Sequence, residues 1–235
     1  MSIAKRFEQI LKGLLPAPFT IAVLLTFFTF ILALIITDPK SEESHFLQLL
    51  SFWEQGIWHA PLLVFTIQMM LMLVLGHTLA LSKPIKKIIS KVIIYCTNTA
   101  NSAAIITFFT VLVSLVNWGL GLIFGAIFAR KVAEHASRKK IPLNYPLIGA
   151  AGYSGLMVWH GGISGSAPIK IAEEGHFLAD KVGVISQSAT IFSPMNISIS
   201  IILLITLPLL MYFLGKKKSG INIAIYSDKQ EDDEK

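Results

Sequence analysis

Trp159-His160-Gly161-Gly162-Ile163-Ser164-Gly165-Ser166-Ala167-Pro168 interrupts an apolar segment that begins near Tyr145. It sets three glycines, two serines and a histidine where a membrane helix would simply continue. An unpaired N–H or C=O in hydrocarbon costs several kcal/mol, so such backbone is tolerated at membrane depth only inside protein or against a wet cavity. A second break, Asn117-Trp118-Gly119-Leu120-Gly121, lies earlier in the chain. The two breaks are expected to face each other and to form half of a solute site.

The remaining composition is that of an integral membrane protein. Of 235 residues, 54% are hydrophobic and 14% charged, with a mean hydropathy of +0.66. A soluble domain carries about a quarter charged residues. The net charge of +6 does not point to nucleic acid, because the basic residues stand in short clusters beside apolar runs, the pattern that orients membrane proteins. The single cysteine, Cys96, excludes an internal disulfide, and no acid or base stands near it in the sequence to make it a nucleophile.

Residues 2–14 put Ile3, Phe7, Ile10, Leu11 and Leu14 at helical spacing with charges between them. This predicts an amphipathic helix on the cytoplasmic surface over residues 1–15. The apolar run that follows is too long for a signal-peptide core and lacks a small-residue cleavage site, so it reads as an uncleaved first span over about 16–37. An acidic loop with Asp38, Glu42, Glu43 and Glu54 comes next, then a second span over about 57–81 that holds Gln68 and His77. Gln68 reads as a helix-to-helix hydrogen bond and His77 as a group near the cytoplasmic end. Lys83 to Lys91 form an amphipathic connector in the interface.

Residues 103–129 either cross once or enter and leave by the same side, turning at Asn117. Positive-inside counting separates the two. The hairpin keeps Lys5, Arg6, Lys12, Lys83, Lys86, Lys87, Lys91, Arg130, Lys131, Arg138, Lys139, Lys140 and Lys216 to Lys218 inside, fifteen residues against Lys40, Lys170 and Lys181 outside. A full crossing equalises the two sides at nine each. The expected fold is therefore all-α, with about four transmembrane helices, one re-entrant helical hairpin over 103–129 and a broken helix over 145–168. The last span covers 194–214 and closes a membrane domain of 16–214. A charged cytoplasmic tail over 215–235 follows, and both termini lie inside.

The two breaks carry the chemistry. Free backbone N–H groups and the positive end of a half-helix suit a carboxylate, while unwound carbonyls suit a cation. Asn117, Trp118 and Gly119 of the first break, with Trp159, His160, Gly161, Gly162, Ser164, Gly165 and Ser166 of the second, are the expected substrate-binding residues. Gly121-x-x-x-Gly125 reads instead as close helix packing. Trp118 and Trp159 suit interfacial anchors as well as site walls. A hydrolase is disfavoured because His160 has no acidic partner in the adjoining spans. The histidines are scattered without metal-ligand spacing, so no metal or other cofactor is expected.

Four pieces of the chain carry a resemblance. They are Leu14-Leu15-Pro16-Ala17-Pro18-Phe19; Gly56-Ile57-Trp58 with Gln68-Met69 and Gly76-His77; Val116 to Leu122 with Gly125 to Arg130; and Gly161 to Pro168. In this order, to about Leu214, the chain resembles the short-chain fatty acid transporter family of the wider ion transporter superfamily. The resemblance implies uptake of small monocarboxylates such as acetoacetate or butyrate across the cytoplasmic membrane, coupled to a proton or sodium gradient. Family members are about twice as long and carry two inverted repeats, so the resemblance places this chain as the N-terminal repeat. Completing the site requires a second membrane chain, an inverted second copy or the remainder of an interrupted gene. The charge bias disfavours dual insertion and leaves a separate partner chain as the expectation. The other reading is a non-transporting scaffold subunit or a degenerate fragment.

Overall fold

The computed structural model describes residues 16–39 and 44–217. The surface helix expected over 2–14, the acidic residues Glu42 and Glu43, and the tail from Lys218 lie outside the described residues. The described chain is helical and divides into two compact units, one ending at Val64 and the other beginning at Phe65.

In the first unit, helix α1 (Pro18–Ile36) opens on a proline, whose missing N–H costs nothing in a first turn. Its hydroxyls need no water, because Thr26 and Thr29 donate back to the carbonyls of Ala22 and Leu25 at 2.9 and 2.8 Å. Helix α2 (His45–Ile57) replaces most of the expected acidic loop. Phe46, Leu47, Leu50 and Trp53 recur at helical spacing there, and this period outweighs the scattered acids. Phe46 meets Phe30 of α1 edge to face, with ring centroids 5.5 Å apart. Helix α3 (Ala60–Ala80) starts in this unit and runs on into the second.

The second unit is built on two antiparallel helices, α5 (Thr99–Val116) and α6 (Trp118–Lys139), joined by the single residue Asn117. Asn117 both closes α5, its N–H bonding Val113 O at 2.9 Å, and caps α6, its Oδ1 accepting from Leu120 N–H at 2.8 Å. Gly121 lies against Ser114 and Gly125 against Thr110, the pairing of an antiparallel hairpin. The Gly121-x-x-x-Gly125 pair thus serves packing. Helix α7 (Tyr145–Tyr153) lies across the hairpin, and Gly125 and Gly152 meet backbone to backbone. Phe124, Phe128, Ile106, Val132 and Ile148 fill the core around this crossing.

One end of this unit gathers the basic clusters. Asn144 N–H donates to Thr99 Oγ1 at 3.1 Å, and Gly215 near the end of α10 (Pro194–Lys217) lies on Ala100. The amphipathic connector, α4 (Lys83–Val92), packs Ile89 near Lys131, His135, Arg138 and Lys139. The ends of α6 and α10 and the starts of α5 and α7 therefore share one face of the unit.

Among the described residues four helices are long and apolar enough to cross a membrane: α1, α3, α5 and α10. Four spans were expected, but the set differs. The first arm of the hairpin is a full-length apolar helix, whereas the broken segment holds only nine α-helical residues before it tightens. The apolar windows of α1 and α10 bury none of their residues within the chain, while half of the α5 window is buried. Lipid or further protein must cover the first two.

Cys96 sits at the base of the hairpin, 1% exposed. Burial pushes its thiol up to about 11, the neighbouring Ser102 hydroxyl pulling only partly the other way. At pH 8 only about a thousandth of it is thiolate, the form that reacts with maleimides. A hydrophilic maleimide is expected to leave the native protein unlabelled at pH 8 and to label it stoichiometrically in denaturant. Rapid native labelling, read by mass spectrometry, would contradict this burial.

Candidate functional site

The break starts earlier than its glycines. After Tyr153 the chain tightens into a 3₁₀ segment, Ser154–Gly161, long for a geometry used mostly in three- or four-residue pieces. Gly155 allows this, since a Cβ there would strike the Ser114 hydroxyl and the Thr110 carbonyl. At Gly162 the backbone becomes extended, with φ −85° and ψ 167°, and a Cβ there would lie 2.7 Å from Leu115 O. A short helix, α8 (Ser166–Ile171), then restarts the chain, and a single turn, α9 (Ala179–Val182), precedes α10.

The broken segment is hydrogen-bonded onto the hairpin tip, so the structure brings the two expected breaks together. Trp118 N–H donates to Ser164 Oγ at 2.9 Å, and Ile163 N–H donates to Leu115 O at 2.7 Å. Both bonds use groups that the ends of α5 and α6 leave without helical partners. Trp118 is 7% exposed, and its ring lies 4.6 Å from that of Trp159, which stacks on His160 at an interplanar angle of 13°. Neither Trp118 nor Trp159 has a partner for its buried indole N–H among the described residues. Gly119, Gly162, Ser164, Gly165 and Ser166 are buried, Asn117, Trp159 and Gly161 half-buried, and His160 exposed.

Helix α3 crosses the tip. A Cβ on Gly76 would lie 2.9 Å from Leu120 N, and one on Gly119 would lie 3.3 Å from Met72 O. This crossing opens a cleft of about 400 Å³ between α3, the tip and α8. Of the ten expected site residues, Asn117 and Ser166 line it. The others close the joint between tip and break or, in the case of Gly161, border a second hollow of about 240 Å³ beside α10.

Four residues were not anticipated as parts of the site. Asn196, in the first turn of α10, donates through Nδ2 to Gly161 O at 2.9 Å and to Ile191 O at 2.7 Å, holding the broken segment to the last span. Lys170 and Glu173 pair at 2.7 Å on the cleft wall, their side chains 12% and 38% exposed. Gln68, expected to bond a neighbouring helix, lines the same cleft. The period of Phe65, Gln68, Met69, Met72 and Leu75 marks one face of α3, but nothing local tells which element that face meets.

A family model described as "Short chain fatty acid transporter" matches residues 1–235. A protein of Escherichia coli (strain K12) is 34% identical over 220 residues, 93% of this chain and 47% of its own length. One of Haemophilus influenzae (strain ATCC 51907 / DSM 11121 / KW20 / Rd) is 37% identical over 210 residues, 86% of this chain and 44% of its own. Both carry the name "Putative short-chain fatty acid transporter". The chain spans about half the length of the curated relatives it matches. No solved structure matches it.

Proposed function

Because the chain belongs to the short-chain fatty acid transporter family, we propose that it forms one repeat of a secondary transporter. The repeat moves small monocarboxylates, of the acetoacetate or butyrate kind, across the cytoplasmic membrane, driven by a proton or sodium gradient. A second repeat completes the site, in keeping with relatives about twice this length.

The observation that carries this reading is the broken segment bonded onto the hairpin tip through Trp118 N–H to Ser164 Oγ and Ile163 N–H to Leu115 O. A tip built from irregular backbone is tolerated in a membrane where it lines a solute path. The re-entrant reading gains support from α3, which meets the tip at Met72 and Gly76, inside its length, and from the basic clusters at the opposite end of the unit. Those clusters also support cytoplasmic termini.

The test is gradient-driven uptake. The chain, purified in mild detergent with everything that stays bound, is placed in liposomes and given labelled butyrate under an imposed proton or sodium gradient. Accumulation dependent on one gradient is expected. A chain that is alone and inert to both gradients would overturn the transporter reading.

A further inference from the structure

The cleft beside the tip holds a charge that the two breaks do not. Its apolar side is formed by Phe65, Met69, Met72, Leu75 and Ile169, and its polar side by Gln68, Asn117, Ser166 and the Lys170–Glu173 pair. Lys170 Nζ lies 2.7 Å from Glu173 Oε2. The two partners are unequal: the lysine side chain is largely covered, whereas the glutamate is three times as exposed. A covered ammonium needs a counter-charge, since leaving it unpaired carries the full desolvation penalty. Glu173, three residues on in the bend that follows α8 and partly in solvent, is the partner that can be given up at low cost.

We propose that Lys170 is the counter-charge for the carboxylate of the transported acid, and that Glu173 holds its place when the cleft is empty. The inference rests on the transporter reading and deepens it. The incoming carboxylate takes the position of Glu173 Oε2 on Lys170 Nζ, so one charged hydrogen bond replaces another of the same kind and the lysine is never left bare. Gln68 and Asn117 supply the neutral donors that orient the second carboxylate oxygen. The acyl tail lies along Phe65, Met69 and Met72. A cleft of about 400 Å³ is within the range of small-molecule sites.

The chemistry defines the ligand class: one carboxylate, because there is one ammonium, and a short apolar tail without further charge. Lengthening the tail from acetate to butyrate should raise affinity by about fourfold per buried methylene. Butyramide, the uncharged isostere, should not exchange with Glu173.

The experiment is calorimetric titration of sodium butyrate, and of butyramide as control, into the full chain in lipid nanodiscs together with anything that co-purifies. Wild-type protein is expected to bind butyrate and not butyramide. Lys170→Gln should weaken butyrate binding roughly 10- to 100-fold, the loss of a charge-assisted hydrogen bond. Lys170→Arg should recover most of it. Glu173→Gln removes the competitor and should tighten binding about fivefold, a gain that a misfolded protein does not produce. Wild-type binding that survives Lys170→Gln unchanged, or that Glu173→Gln fails to improve, would overturn the role of the pair and leave the transporter reading intact. Absence of butyrate binding in wild type and in Glu173→Gln alike would overturn both.

Discussion

Replacing Gly125 with alanine is expected to lower the stability of the membrane domain by about 3 kcal/mol, the upper end of overpacking costs. The added Cβ would fall on the carbonyl oxygen of Gly152, and a Cβ on Gly152 would in turn lie 2.6 Å from Gly125 O. A side chain can rotate away from such an intrusion, but a helical carbonyl cannot. Helices α6 and α7 would have to part, opening the core around Phe124, Phe128 and Ile148. Gly149, in the same helix as Gly152, has nothing within 4 Å of its Cβ position. Gly149→Ala is thus the control, and it should stabilise slightly through helix propensity alone. Thermal unfolding in detergent, followed by tryptophan fluorescence, separates the two. An unchanged midpoint for Gly125→Ala would mean that the helices do not touch as described.

The second large effect is expected at Ser164. Its hydroxyl accepts from Trp118 N–H in a buried joint, so Ser164→Ala strands a backbone donor where water cannot replace the acceptor. Such a loss costs roughly 1–3 kcal/mol. Amide exchange at Trp118 should accelerate while exchange within the middle of α6 stays slow, because the change frees the first turn only. Uptake of labelled butyrate should fall, with insertion into the membrane preserved. Asn117→Ala should act alike on uptake, since it removes both the α6 cap at Leu120 N–H and a wall of the cleft. Unchanged uptake in both variants would remove these residues from the site. The assay tests position as much as chemistry, because Ser164 holds the tip and Asn117 shapes it.

Much of this molecule is legible in its sequence because the membrane constrains backbone so strongly. The length and apolarity of α1, α3 and α10, the turn at Asn117 and the interruption after Tyr153 all follow from where hydrogen bonds can and cannot be left unpaired. The basic residues of α4, α6 and α10 stand at one end of the second unit, a clustering already visible as short charged runs beside apolar segments. The helix over His45–Ile57 was hidden because its acids suggested a loop, although its apolar period was present. Tertiary structure alone decided which side chains face the cleft. Gln68 stands about a hundred residues from Lys170 in the sequence, and only the crossing of α3 over Gly119 and Leu120 brings them to one wall. In the same way Asn196 reads as an ordinary polar residue at the start of a span until the chain folds back and offers it the carbonyls of Gly161 and Ile191. Local sequence records the demands each segment makes on its own backbone, and long-range packing determines which distant group meets them.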